Sequence, residues 1–341
     1  MNSTKLTNKT ILITGAAGFI GSFLCKRLLE SIDGIKIIGI DCISDYYDVS
    51  LKNSRLKMIE ALGKDFLFVK ADISDAEQMN AIFESCRPNI VVNLAAQAGV
   101  RYSITHPDIY IKSNIIGFYN ILEACRAHPV EHLVYASSSS VYGSNEKIPY
   151  STDDKTDNPV SFYAATKKSN ELFSHSYSKL YGIPSTGLRF FTVYGPMGRP
   201  DMAYFKFADR LVKGEPLQIF NNGDLWRDFT YIDDIVTGIV KIMQNPPKPS
   251  KDGAPHKIYN IGNSRPENLM HFIEVLESCM IREGLISTPG KKEFLPMQAG
   301  DVYQTYADVS ELEKDFDFKP TTDIEAGLEK FVSWYKTYVK Q

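Results

Sequence analysis

Two side chains four residues apart, Tyr163 and Lys167 in Ser161-Phe-Tyr-Ala-Ala-Thr-Lys167, could together make a base. On a helix that spacing puts phenol and ammonium on one face. A free tyrosine has a pKa of about 10, so bringing it to about 7 takes roughly 4 kcal/mol of differential stabilisation. A nearby cation supplies a shift of that sign. Chance alone can supply the spacing, so its neighbourhood decides what it means. Upstream, Ala136-Ser-Ser-Ser-Ser-Val-Tyr-Gly143 offers a run of hydroxyls, and Thr14-Gly-Ala-Ala-Gly-Phe-Ile-Gly21 offers a glycine turn. In that turn Gly15 permits the tight bend, Gly18 lets backbone approach a pyrophosphate, and Gly21 allows close helix packing. Phe19 and Ile20 open the helix whose amide end faces the anion. The spacing is G-x-x-G-x-x-G, not the usual G-x-G-x-x-G. Asp41 strengthens the reading, because a carboxylate ending the second strand accepts both adenosine-ribose hydroxyls and repels the extra phosphate of NADP. NAD is therefore the preferred dinucleotide. Asp72, followed by Ile73, ends the third strand, where a carboxylate either meets the adenine amine or caps its own loop.

The elements that must hold these residues are short β-branched runs that alternate with helical patterns from Thr10 to Phe191. The runs are TILIT, IKIIGID, FLFVKAD, NIVVNLA, HLVYASS and STGLRFF. They predict an α/β fold with a doubly wound parallel sheet, a Rossmann arrangement. Helices are predicted over about 19–31, 75–85, 107–127 and 161–181, the last ended by Gly182 and Pro184. Beyond Phe191 the alternation lapses into loops around Gly195-Pro196, Gly198-Arg199-Pro200 and Asn221-Asn-Gly223. This predicts residues 1–191 as an NAD-binding Rossmann domain carrying the catalytic residues. Residues 192–341 then form a smaller, mixed α/β substrate domain, with part of 229–262 packing back on the first.

The bulk composition sets limits. A length of 341 residues leaves room for one large or two fused domains with ample core. A net charge of −3 offers no field for gripping a polyphosphate backbone, which argues against a nucleic-acid partner. Five scattered cysteines without C-x-x-C spacing suit a reducing compartment, and of six histidines only His128 and His132 stand four residues apart, the others being scattered, so no metal is expected. With no apolar stretch near the length of a membrane span and no signal-like start, the expected location is the cytoplasm.

Over essentially its whole length the chain resembles the extended short-chain dehydrogenase/reductases, and among them the nucleotide-sugar epimerases. The resemblance rests on TGAAGFIG, NLAAQAGV, ASSSSVYG, YAATK and RDFTYIDD. It implies that Ser138 hydrogen-bonds the reacting sugar hydroxyl and that Tyr163 is the acid/base. It also implies that Lys167 binds the nicotinamide ribose and lowers the tyrosine pKa. Ser139 and Ser140 stand where the family's 4,6-dehydratases carry an Asp-Glu pair and its sugar-acid decarboxylases commonly a glutamate, which disfavours elimination. The segment from Phe191 to Ala203 resembles UDP-glucuronate 4-epimerases, with Thr192 in place of the asparagine common in UDP-galactose epimerases. Thr192 and Arg199 are thereby implied to bind a C6 carboxylate, with Ser139 and Ser140 lining the same end. Arg227 matches a diphosphate-binding arginine, Asp301 a nucleotide-ribose carboxylate, and Gln298 a position where UDP-galactose epimerases carry a second arginine. Arg101 stays outside this set, since it could face substrate or solvent.

The implied activity is C4 epimerisation of UDP-glucuronate to UDP-galacturonate through a transient 4-ketone, with NAD as cofactor. A UDP-glucuronate decarboxylase, a UDP-hexose 4-epimerase and a non-catalytic NAD-binding sensor are the alternatives. The resemblance also implies a homodimer packed through helices 107–127 and 161–181.

Overall fold

The computed structural model describes residues 6–297 and 302–340. Its strands are β1 (Thr10–Thr14), β2 (Lys36–Asp41), β3 (Phe66–Lys70), β4 (Ile90–Asn93), β5 (His132–Ser138), β6 (Ser185–Phe190), β7 (Thr192–Tyr194), β8 (Leu217–Phe220), β9 (Trp226–Tyr231), β10 (His256–Ile261), β11 (Pro266–Asn268) and β12 (Lys292–Leu295). Its helices are α1 (Phe19–Ser31), α2 (Val49–Glu60), α3 (Ala76–Cys86), α4 (Tyr102–Thr105), α5 (Pro107–Tyr110), α6 (Gly117–Ala127), α7 (Phe162–Tyr181), α8 (Ala203–Lys213), α9 (Ile232–Met243), α10 (Leu269–Arg282), α11 (Ser310–Phe316) and α12 (Ile324–Tyr338). A π-helical turn, Ile111–Ile116, joins α5 to α6.

The central sheet runs β10-β6-β5-β4-β1-β2-β3 with every pairing parallel. Successive strand residues point to opposite faces, so a continuous apolar run feeds two cores. Ile11 and Ile13 join Leu24, Leu28, Ile239 and Ile242, from α1 and α9, on one face. Leu12 between them joins Met79, Phe83, Phe118 and Ile121, from α3 and α6, on the other. All six predicted strands form, and β10 adds a seventh at the edge. The strand order reverses between β1 and β4, and the carboxyl ends of those two strands open the crevice where such sheets bind ligands.

Helix ends follow local chemistry. Asp75 caps α3 through the Gln78 amide at 3.0 Å, and Ser161 caps α7 through the Ala164 amide at 3.1 Å. Gly182, at φ +69°, closes α7 in the left-handed region that favours glycine. The segment predicted as one helix over 107–127 contains the π turn, an inserted residue's worth of slack that turns Asn114 inward. Helix α2 is absent from the sequence reading because its apolar positions are sparse. Of its buried side chains Leu51, Leu56 and Ile59 are apolar, while Lys52 and Arg55 are charged.

Beyond Phe191 the chain builds a three-stranded sheet, β11-β9-β7, and a two-stranded one, β12-β8. Aromatic packing holds the surrounding helices: Phe229 stacks on Phe272 at 4.2 Å, and Phe205, Phe331, Trp334 and Tyr335 form a further cluster. Within 229–262, α9 lies on α1, where Arg27 reaches Asp233 at 3.3 Å, and β10 pairs with β6.

Candidate active site

A cavity of about 1030 Å³ opens along the carboxyl ends of the sheet and continues toward the smaller sheets. It is lined by Gly15, Gly18, Phe19, Ile20, Gly21, Asp41, Asp72 and Ile73 at one end and by Thr192, Arg199 and Arg227 at the other. Ser138, Ser139, Ser140, Tyr163 and Lys167 lie between them. Asp301 lies outside the described residues, as does Gln298.

The glycine end is shaped by backbone crowding. Gly15 sits at φ +73°, and a Cβ on Gly21 would fall 2.1 Å from the Gly15 carbonyl oxygen. Gly18 starts α1 without a side-chain cap, which leaves first-turn amides for an anionic ligand. Asp41 holds this end together: its Oδ2 accepts the Ala17 amide at 3.2 Å and its Oδ1 the Ile43 amide at 2.8 Å. A carboxylate has about four lone-pair sites, so two remain for ribose hydroxyls. These residues fit a dinucleotide. Asp72 caps its own turn through the Ser74 amide and hydroxyl, at 2.9 and 2.8 Å, and meets Lys112 at 3.1 Å. Burial pushes its carboxyl up, but the Ser74 and Lys112 contacts outweigh that and hold it below the usual range.

In the middle, α7 carries Tyr163 and Lys167 against the end of β5. The buried Glu171–Arg189 pair fixes this packing: Arg189 of β6 forks onto Glu171 of α7 at 2.8 and 2.9 Å, and Ser137 donates to Glu171 at 2.7 Å. Ser138 caps the 3-10 turn Ser139–Tyr142, accepting the Ser140 amide at 3.2 Å. Lys167 is 4% exposed, and its ammonium donates to the Ala136 carbonyl at 2.9 Å and sits 6.0 Å from the Tyr163 ring centre. Burial pulls its pKa down to about 8. The Tyr163 phenol is pushed above its ordinary value by burial, while the Ser138 hydroxyl and the Arg199 charge pull the other way. The depressed tyrosine implied by the sequence resemblance is thus not a property of this wall of side chains by itself, because desolvation disfavours the phenolate.

At the far end the Arg199 guanidinium is already engaged. Its Nε and Nη2 fork onto Asp201 at 3.0 and 2.5 Å, and Asp201 also accepts the Tyr46 hydroxyl at 3.3 Å. This leaves the end-on edge carrying Nη1 outside the fork, on a residue that lines the cavity together with Thr192. Arg227 of β9 donates to the Trp226 and Tyr303 carbonyls at 2.9 and 3.0 Å. Several lining residues carry no signal of their own in the sequence, or only a weak one. Asp201 lies inside the segment from Phe191 to Ala203, and its signal was an opposite charge two residues from Arg199. Tyr46 from a loop, Lys206 from α8 and Phe220 from the end of β8 line the cavity, an approach that only the folded chain brings about.

Comparisons with known proteins identify the family. Residues 11–262 match the NAD dependent epimerase/dehydratase family. Protein CapI of Staphylococcus aureus is 51% identical over 97% of this chain and 99% of its own length. UDP-glucuronate 4-epimerase 1 of Arabidopsis thaliana is 44% identical over 96% of this chain and 77% of its own. The crystal structure of UDP-glucuronic acid 4-epimerase from Bacillus cereus, in complex with UDP-glucuronic acid and NAD, superposes with a TM-score of 0.86 at 34% identity. It covers 96% of this chain and 99% of that one. With the glycine cradle and the Tyr163-Lys167 wall in one cavity and this match across the sheet, the chain belongs to the NAD dependent epimerase/dehydratase family.

Proposed function

We infer that this protein is an NAD-dependent UDP-glucuronate 4-epimerase that forms UDP-galacturonate through a 4-ketone. One observation carries the reading: a single cavity joins Ser138, Tyr163 and Lys167 to an arginine aimed by Asp201. The Bacillus cereus relative, which binds UDP-glucuronic acid and NAD, supports the same ligands here. Gly15, Gly18 to Gly21 and Asp41 would hold the dinucleotide, with Asp72 and Ile73 beside the adenine. Bound NAD supplies a reversible acceptor for the C4 hydride, so net oxidation is zero.

The chain's own residues do the rest. Tyr163 removes the C4 hydroxyl proton, assisted by the Ser138 hydroxyl that faces it, and returns a proton after the ketone has turned over. The Lys167 cation favours the phenolate from the same helix face. Arg199, fixed by Asp201, and Thr192 bind the C6 carboxylate, with Ser139 and Ser140 beside it. A charge-assisted bond of this kind contributes about 1.5–3 kcal/mol, enough to select a uronate over a neutral hexose. The 4-ketone is β to that carboxylate, so carbon dioxide is lost when the breaking bond aligns with the carbonyl π system. An arginine clamped on its other edge keeps the carboxylate near the ketone plane. Ser140 also leaves decarboxylation without the glutamate commonly found at that position in decarboxylases. Arg227 and, outside the described residues, Asp301 are assigned to the UDP handle.

We assign residues 192–341 to UDP-sugar binding and the catalytic residues to 1–191. The homodimer reading is supported by exposed Ile111, Ile116, Tyr119, Leu172 and Leu180 on the two helical segments. The cytoplasmic reading is supported by five free cysteines, and among the described residues no helix is long and apolar enough to cross a membrane.

The test is to incubate the purified protein and catalytic NAD with UDP-glucuronate and, separately, with UDP-glucose, and to follow products by NMR. A UDP-galacturonate signal in the first tube alone is expected. A UDP-pentose with carbon dioxide release would replace epimerase by decarboxylase, and UDP-galactose in the second tube would replace uronate by hexose specificity.

A further inference from the structure

A fully buried cation lies between the two ends of the cavity, and among the described residues no carboxylate pairs with it. Arg55 of α2 is 0% exposed. Its Nε and Nη2 donate to the Met197 carbonyl at 3.0 and 2.7 Å, and Nη2 also to the Gly198 carbonyl at 3.1 Å. Nη1 donates to the Ala17 carbonyl at 3.1 Å and to the Tyr47 hydroxyl at 2.6 Å. Burying a cation is costly without compensation, and here only carbonyl dipoles and one phenol offset it. Stability alone would be served as well by an apolar side chain, which makes the choice of these acceptors informative.

The acceptors belong to two parts of the site. Ala17 is in the glycine turn, and its amide is held by Asp41. Met197 and Gly198 lead directly into Arg199. That second segment needs holding: Met197 adopts φ +53°, where residues other than glycine are uncommon. A Cβ on Gly198 would lie 1.7 Å from the Tyr204 hydroxyl. Such backbone persists only where its surroundings over-determine it. A second tie runs in parallel. Tyr46, in the loop that follows Asp41, donates to Asp201, and Asp201 forks Arg199. Its neighbour Tyr47 lies beneath the Arg55 guanidinium, with 5.5 Å between guanidinium carbon and ring centre.

We propose that Arg55, with Tyr46 and Tyr47, is a positioning device that couples the dinucleotide end of the cavity to the carboxylate-binding end. The aim of Arg199 then depends on the contacts that shape the glycine turn. This rests on the reading of the protein as a UDP-glucuronate epimerase. Because Arg55 holds the glycine turn and the Met197-Gly198 segment at once, a disturbance there weakens NAD and uronate binding together.

Arg55→Lys keeps the charge but not the fork, and Tyr47→Phe removes one acceptor while keeping the ring. The full-length variants and the wild type are compared by NAD Kd, by KM and kcat for UDP-glucuronate, and by the inhibition constant of UDP, which lacks the uronate. In Arg55→Lys, NAD Kd and UDP-glucuronate KM rise together by about tenfold, and in Tyr47→Phe by about threefold, while UDP inhibition holds within about twofold. A change in one constant without the other overturns the coupling. So does UDP inhibition weakening in step with them, which would mean general loosening. If Arg55→Lys loses its cooperative thermal transition, Tyr47→Phe decides by the same criteria. A wild type that does not convert UDP-glucuronate sinks the functional reading itself, whereas an active wild type with unlinked variant effects sinks only the coupling.

Discussion

Removing the Lys167 cation tests how the tyrosine becomes a base. The ammonium sits 6.0 Å from the Tyr163 ring centre, donates to the Ala136 carbonyl and is almost fully buried. With that ring-centre distance standing in for the separation from the phenolate charge, unit charges at an effective dielectric of about 20 interact by about 2.8 kcal/mol, or about two pKa units on the phenol. The sign follows from charge: a cation favours the phenolate, so Lys167→Met raises the tyrosine pKa. Phenolate at pH 7 should drop about 100-fold, and turnover at saturating NAD with it. The loss should shrink as pH rises, for two reasons. The variant regains phenolate at high pH, and the wild-type lysine, whose pKa burial pulls down to about 8, loses its own charge there. The assay is kcat for UDP-glucuronate between pH 6.5 and 9.5 at roughly half-unit steps. Cofactor content is checked by absorbance, because the family resemblance also gives this lysine a ribose contact. A deficit that stays constant across the range would refute the electrostatic argument and leave Lys167 as an anchor for the cofactor.

Three further outcomes follow from contacts around the site. Gly21→Ala would place a Cβ 2.1 Å from the Gly15 carbonyl oxygen, so NAD affinity measured by calorimetry should fall at least about tenfold; wild-type affinity would mean that the turn can relax. Glu171→Gln leaves Arg189 buried beside a neutral partner, a loss of about 3–5 kcal/mol that should appear as a lower thermal midpoint, and an unchanged midpoint would mean that Arg189 finds other acceptors. Asp228 is fully buried and accepts amides from Asn263, Ser264 and Ala307, yet burial pushes its carboxyl up to about 6. The folded form therefore holds an extra proton between its ordinary pKa of 3.8 and 6, and stability should decline as pH rises through that window, by at most about 3 kcal/mol. Asp228→Asn should remove this slope from denaturation curves taken at pH 4 to 6.5; a persisting slope would assign it elsewhere.

What the sequence revealed, and what it hid, divides by the range of the interactions. The sheet was legible because each strand is a short β-branched run buried on two faces, and such runs identify themselves without reference to the rest of the chain. The glycine turn, Asp41 and the Tyr163-Lys167 spacing were legible as patterns for a related reason: each is defined by local spacing, and the roles proposed for them rest on it. Helix α2 was hidden because its inward side includes Lys52 and Arg55, so an apolar-periodicity test scores it as solvent-facing. Yet Arg55 is buried because its partners at 17, 47 and 197–198 come from three other segments. Asp201 was hidden in a different way. It lies in plain sight beside Arg199, but only the fold aims Tyr46 at it, and only then does the pair become one fork with one free edge. A motif names a side chain that can bind a carboxylate. Which edge of that side chain is left to do so is decided by Asp201 and Tyr46, and in the proposed function substrate selectivity follows from that edge.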